Sequence, residues 1–547
     1  MTASSCPRDA VYDHLREPSS RIVAAALVAL VIVGLWLRAR GLGDWAPSGD
    51  DALHLHHGMG RDFVDTLART RRDTHPPLLY LLLQVVQGPL GVRDLLALRA
   101  VSLVPGVLFI PLAFLIGERM WHSRSIGLVL AGVVTFGALP VLLSQPIRQY
   151  SLMLAFLGLS LVGMASRGRM GPWLYGGGAA LAIASHFSAV FLVAGGGLAL
   201  LPGLLRGPRR AGSLRGALLR WALLHAALAG EFALLLLRCL QTGRPTPSEN
   251  YMATSLPADL GAALINLGRA CTSVLVEGPL GLVLGAVLVG GLAGALLCRR
   301  FDAVLYAIVP LALALAAGLA GVYPITEKRW CVYLVLPDLV LVGSFVHHMT
   351  RWNKLKAVPV VRWAVSLSLV ALIGGGSGAL RLGHLYHREN VHWPFRLDDY
   401  RSSLEWERRR LDQSAAVLTS GAEKIRRQMS TTHFASWGLP TPPAGLRVPA
   451  DVWELRHHTA LKQIAAALAD LKAQTLLAPI SVARASPDVI SALAASPCLK
   501  LRDAEFHETA LLLAIDVAET RARLEQPTCR KYRPHVDSVS NPPPRGL

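Results

Sequence analysis

The chain has 547 residues, 52% of them hydrophobic and only 17% charged, with a formal net charge of +19 and a mean hydropathy of +0.41. That is too apolar for a water-soluble protein of this length, and the repeated apolar runs approach the ~20 residues that cross a bilayer. The basic excess falls largely in short loops between those runs, and no basic, aromatic-interleaved groove points to nucleic acid.

The first apolar run, Ile22–Leu37, has the length of a signal segment, but Arg38 and Arg40 follow it in place of a cleavage site. It reads as an uncleaved anchor. Further spans are expected near 98–117, 125–143, 150–165, 173–186, 188–205, 217–237, 279–297, 302–321, 330–348 and 363–380, which with 22–40 makes about eleven. With 1–21 inside, the other inside loops carry Arg119 and Arg124, Arg167 and Arg169, Arg206 to Arg215, Arg299 and Arg300, and Arg351 to Lys356. Every inside loop is then basic, as the positive-inside rule requires. The outer connections hold Arg148, His186, Lys328 and Arg329.

The first outer loop, 41–97, is mixed polar and apolar. Within it His75–Val92 opens on His75-Pro76-Pro77. As a full span it would invert every later loop, so it reads as a helix lying in the headgroup layer, and 256–276 reads as a second one. From about residue 381 the chain turns polar. Ala416–Ser420, Thr475–Ile480 and Glu508–Ile515 read as strands, and Leu461–Ala473 and Pro487–Ala495 as helices. The expectation is a helical membrane domain over 22–380, a small extracytoplasmic α/β domain over 381–535, and a disordered proline-rich tail over 536–547. None of the seven cysteines forms a CxxC pair. Cys498 and Cys529 both lie in the polar part; they are either a disulfide or two free thiols.

Several residues carry candidate chemistry. Asp50 and Asp51 open a helical stretch just past the first span. A carboxylate there can take the proton of an attacking hydroxyl while its neighbour orients it, or Asp50 simply caps the helix. His54 and His57 fall on one helical face with Asp50 and, with His75, could take a divalent cation or touch headgroups and substrate. Arg148 and Arg329 sit at outer mouths on Asp50's side, where a permanently charged guanidinium suits a phosphate, although snorkelling to headgroups also places arginine there. Tyr150 and Lys328 are accessories, and His186, in Ala184-Ser185-His186-Phe187-Ser188, either contacts substrate or closes a turn.

These segments, in this order, resemble the GT-C glycosyltransferases. Asp50-Asp51 is similar to the Asp-Glu pair of their first outer loop, and Thr74 to Tyr80 to their His-Pro-Pro-Leu-Tyr segment. Arg99 to Arg119 is similar to the span that follows. Ser144 to Leu152 is similar to Ser-Gln-Glu-Ala-Arg-Met-Tyr-Ser-Leu, and Tyr323 to Trp330 to the late Arg-Tyr segment. The branch most resembled is that of the protein O-mannosyltransferases and aminoarabinose transferases. The resemblance covers about residues 20–350. It implies transfer of a sugar from a polyprenyl-phosphate carrier to an extracytoplasmic glycan, lipid or protein, usually with inversion, at a bacterial inner membrane. Carried over residue by residue, Asp50 matches the base, Asp51 its partner, and Arg148 and Arg329 the contacts to the carrier phosphate. Asp51 stands in place of the usual Glu, Pro146-Ile147 in place of Glu-Ala, and Trp330 in place of Tyr. Two other readings compete: a flippase of lipid-linked sugars, which would want charges near the bilayer midplane and broken helices, and an inactive envelope scaffold, for which those departures would be the sign.

Overall fold

The computed structural model describes residues 19–43, 49–72, 75–166, 168–206, 214–240, 256–276, 280–325, 328–351, 367–371, 373–374, 415–417, 475–481, 496–506 and 510–529. The chain divides into two compact units, one of Met1–Arg40, Gly58–Pro89 and Arg99–Leu382, the other of Gly41–His57, Leu90–Leu98 and Gly383–Leu547.

The first unit is helical. Among the described residues, six helices are long and apolar enough to cross a membrane: Ser20–Ala39, Leu95–Trp121, Leu214–Cys239, Leu280–Leu297, Phe301–Leu319 and Cys331–Thr350. In chain order the helices are α1 (Ser20–Ala39), then, after α2 of the second unit, α3 (Phe63–Arg69), α4 (Leu78–Gln87) and α5 (Leu95–Trp121), whose residues up to Leu98 belong to the second unit. Next come α6 (Arg124–Phe136), α7 (Ala138–Leu142), α8 (Tyr150–Ala165), α9 (Gly171–Ser185) and α10 (Ala189–Arg206). The series closes with α11 (Leu214–Leu240), α12 (Leu260–Ser273), α13 (Leu280–Leu297), α14 (Phe301–Leu319) and α15 (Val335–Arg351). The ten residues of α4 are too few to cross a bilayer, which takes ~20. Both α4 and α12 fall where headgroup helices are expected. Of the expected span 363–380, only 367–371 and 373–374 are described, and these are helical.

Local chemistry sets several boundaries. Ser19 and Ser123 cap α1 and α6 by accepting from Ile22 N and Ile126 N. The single span expected over 125–143 is two pieces. Gly137 leaves the helical region at φ −60, ψ 130, and glycine has little helix propensity to resist it. The N–H groups of Ala138 and Leu139 then donate to Leu275 and Val274 carbonyls, each at 3.2 Å. The span expected over 330–348 likewise begins as a 3-10 turn, Lys328–Leu334, before α15.

Close backbone approach holds the bundle, as in membrane helix pairs generally. A Cβ on Gly178 of α9 would stand 2.7 Å from the Phe156 carbonyl of α8. One on Gly291 of α13 would overlap the Leu341 carbonyl of α15. Most of the span Cys331–Thr350 is buried, with 83% of its most apolar stretch inside the protein, whereas only 6% of that of Leu214–Cys239 is, as for an edge helix facing lipid.

Arg38 is not a flank. It is the penultimate residue of α1, fully buried, and its guanidinium donates to the Gly34, Val134 and Thr135 carbonyls at 3.0, 2.9 and 3.4 Å. It thus satisfies carbonyls at the last turn of α6, which have no partner within their own helix and carry the negative end of the helix dipole.

The second unit contains α2 (Gly49–His57) and a four-stranded sheet of order β1-β2-β4-β3: β1 (Ala415–Val417), β2 (Thr475–Ser481), β3 (Leu501–Phe506) and β4 (Ala510–Asp516). β1 runs parallel to β2, while β4 is antiparallel to both β2 and β3. Asp516 then caps α16 (Val517–Leu524), its carboxylate accepting from Glu519 N at 2.9 Å. Cys498 and Cys529 form a disulfide. Strand β3 and helix α16 were not expected. The expected helices Leu461–Ala473 and Pro487–Ala495, and the tail 536–547, lie outside the described residues.

Candidate functional site

Three of the expected site residues, His75, Tyr150 and His186, meet in the first unit at the head of α8, and Arg148 lies two residues before Tyr150 in the chain. The segment Leu143–Gln149 joins α7 to α8, and its polar groups fix it from several sides. Ser144 Oγ donates to the Val141 carbonyl at 2.7 Å and Ser151 Oγ to the Leu143 carbonyl at 2.9 Å. Gln145 Nε2 donates to the Arg38 carbonyl at 3.1 Å. The Ser102 hydroxyl of α5 accepts from Arg148 N–H and donates to the Arg148 carbonyl, both at 2.9 Å.

This pinning leaves Arg148 8% exposed, two residues before the first residue of α8. Its backbone is thus fixed just ahead of the positive end of the α8 dipole, a setting that favours an anion.

His186 caps the C-terminal end of α9 and begins the turn into α10. Ser188 N–H donates to His186 Nδ1 at 3.1 Å, so Nδ1 is an acceptor and the neutral ring carries its proton on Nε2. Ser188 Oγ lies 2.8 Å from the same Nδ1 and 3.4 Å from Met153 Sδ of α8. Burial, with the nearby His75, pushes the His186 pKa down to about 3. The imidazole is thus a neutral Nε2–H donor at ordinary pH. Its ring stands 5.3 Å from Tyr150 and 6.0 Å from His75. On the other side Ser188 hydrogen-bonds Tyr323, whose phenol burial keeps neutral. Tyr323 packs edge-on against Phe191 at 5.2 Å, and Phe191 against Tyr333 at 5.3 Å. Tyr323 thereby stands beside the His186–Ser188 turn, with Tyr333 across Phe191 from it. Lys328 and Arg329 lie in the 3-10 turn Lys328–Leu334, and their side chains fall outside the described residues.

In the second unit α2 carries the acidic pair. Asp50 is in its first turn, with its side chain outside the described residues. Asp51 and His54 are buried with Ala52 and Leu55, and His57 is half-buried. The buried face of α2 therefore includes Asp51 and His54, one turn apart. Among the described residues, no three His, Cys, Asp or Glu side chains gather in a way that could hold a metal ion.

Sequence reading passed over Ser102, Gln145, Met153 and Ser188. Only Ser188 left a signal, two residues after His186, the spacing at which a serine closes a turn.

No family model matches the sequence, and no curated protein matches it significantly. Among solved structures, the chain is similar to ArnT from Cupriavidus metallidurans bound to undecaprenyl phosphate, at 14% identity over 90% of this chain and 97% of that one, with a TM-score of 0.46. It is also similar to the Archaeoglobus fulgidus oligosaccharyltransferase in complex with zinc and sulfate, at 12% identity over 83% of this chain and 67% of that one, with a TM-score of 0.47.

Proposed function

We propose that the chain is a GT-C-type glycosyltransferase that moves a sugar from a polyprenyl-phosphate carrier to an extracytoplasmic acceptor, with inversion. The observation that carries this reading is Arg148, a buried arginine whose backbone Ser102 fixes just before α8, in the segment that leads into the His75–Tyr150–His186 cluster. That is a site for an anion carried on a polar, ring-bearing ligand. The apolar bundle around it explains how the anion arrives, since a polyprenyl chain partitions into the bilayer.

The acceptor oxygen attacks the anomeric carbon as the bond from that carbon to the phosphate oxygen breaks. Asp50 takes the acceptor's proton and Asp51 orients it. Arg148 and Arg329, with Lys328, hold the charge that develops on the departing phosphate. His186 stays neutral and offers Nε2–H to a ligand oxygen, so it positions rather than accepts a proton. His54, His57, His75 and Tyr150 serve as further substrate contacts in this reading. The membrane is a bacterial inner membrane with 381–535 on its outer side; the Cys498–Cys529 disulfide supports an oxidising compartment for that part.

The test is purified protein in lipid nanodiscs with a labelled polyprenyl-phosphate sugar and a mixture of lipid, glycan and peptide acceptors. The expected result is label on an acceptor with release of polyprenyl phosphate. In sealed vesicles, movement of the intact lipid across the bilayer without release would contradict it and favour a flippase, and binding alone would favour a scaffold.

A further inference from the structure

Gln149 is the last residue before α8, in helical backbone at φ −75, ψ −11, and it is 1% exposed. Its neighbours in the segment all use their polar groups: Ser144, Gln145 and Ser151 donate to carbonyls, and the Arg148 backbone is held by Ser102. Gln149 differs. Among the described residues neither its Nε2 nor its Oε1 has a hydrogen-bond partner. Nor does its side chain cap α8, the ordinary task of a polar side chain at that position. A buried amide with both ends unmade costs stability, so its presence asks for a partner from outside the chain.

Its place says where that partner sits. Gln149 and Met153 lie four residues apart, on one face of α8. Met153 Sδ accepts from Ser188, which holds His186. The amide therefore stands at the N-terminal end of the α8 face whose Met153 meets Ser188, the residue that holds His186, and one residue after Arg148. Its chemistry says what the partner is. A carboxamide offers two donors and an acceptor together. A phosphate oxygen only accepts and would leave Oε1 unmade, and a polyprenyl chain would satisfy neither atom. A hydroxyl both donates and accepts.

We infer that Gln149 reads a hydroxyl of the donor's sugar ring, beside the arginine that takes its phosphate; this rests on the lipid-linked donor proposed above. The pattern that Ser144–Leu152 resembles has methionine at this place, close in length to glutamine and without either hydrogen-bonding atom. Gln149 is then a selectivity residue of this chain.

The experiment compares wild type with Gln149→Met, and with Gln149→Leu as a second apolar variant, in the full-length protein. The probes are undecaprenyl phosphate and the same lipid carrying mannose, glucose or arabinose. Wild type should bind at least one glycosylated lipid more tightly than the bare one. Both variants should lose about tenfold in affinity for that lipid, the effect of two neutral hydrogen bonds, and nothing for the bare lipid. The ligand-free variants should melt at the same temperature as wild type or higher, because the unmade amide is gone. Equal loss for both lipids, no loss for either, or a lower melting temperature in both variants would overturn the inference. So would a wild type that binds the bare lipid and gains nothing from any sugar, although the carrier reading would then stand. Failure of wild type to bind any of the lipids would overturn both.

Discussion

In the proposed site Arg148 would supply a fixed charge and His186 a fixed neutral donor. Arg148→Lys keeps the charge but loses the planar fork, so donor affinity should fall partly, and Arg148→Gln should cost about 2–5 kcal/mol of it. Titration with polyprenyl phosphate alone measures this, and unchanged affinity in Arg148→Gln would mean the side chain serves headgroups instead. His186 gives a pH signature. Its pKa lies near 3 in the folded protein and near 6.5 in the unfolded chain, so between those values the unfolded chain binds more protons. The stability linked to the neutral ring is complete above the unfolded pKa and is lost as pH falls towards the folded one. The melting-temperature advantage of wild type over His186→Gln should therefore shrink between about pH 7.5 and about pH 4.5. A constant gap would show that the ring titrates normally. Arg148 was legible in the sequence because a charge between two apolar runs is costly and rare. Arg38 was not: it reads as a flank, and the carbonyls it serves lie 96 and 97 residues away.

Helix crossings decide where these side chains stand. Gly178 and Gly177 are neighbours on α9 and make a controlled pair. Gly→Ala inside a helix normally gains up to about 1 kcal/mol. A Cβ at Gly178 meets the Phe156 carbonyl of α8, while one at exposed Gly177 meets nothing within 4 Å. Gly178→Ala should lower the melting temperature by about 1–3 kcal/mol of overpacking, and Gly177→Ala should raise it or leave it alone. Equal effects would mean that α8 and α9 do not pack at this distance. Elements with a strong apolar period were legible: α8 spans 150–165 as expected, and β2 and β4 fall within two residues of the expected strands. Two kinds of element were hidden. β3, Leu-Arg-Asp-Ala-Glu-Phe, is a strand because β4 supplies its partner, not because its own residues favour one. The break at Gly137 is driven by Val274 and Leu275, far along the chain, and composition does not show it.

The whole molecule has two sides, and each loop is expected on one of them. Reporters after Arg119, Arg210 and Lys356 should report cytoplasm, and reporters within 41–97 or after 381 should report the outside, because the basic loops orient the bundle. An outside signal at Arg210 would separate Arg148 from Asp50 and dissolve the proposed site. The disulfide gives an independent check on the outer part. Opening the Cys498–Cys529 link, 31 residues apart in sequence, with Cys498→Ser should destabilise that part by about 3–4 kcal/mol. Full reduction of both thiols in protein taken from intact cells would contradict an oxidising location. The central claim, that a carboxylate on α2 drives transfer of a sugar off a lipid phosphate, meets its most direct test in one comparison. Labelled acceptor and released polyprenyl phosphate are measured together in a purified assay of wild type and Asp50→Asn. Wild type should form the two products in equal amounts, and Asp50→Asn should lose about 10²–10⁴-fold in rate while still binding the donor. Near-normal turnover in Asp50→Asn would contradict the account.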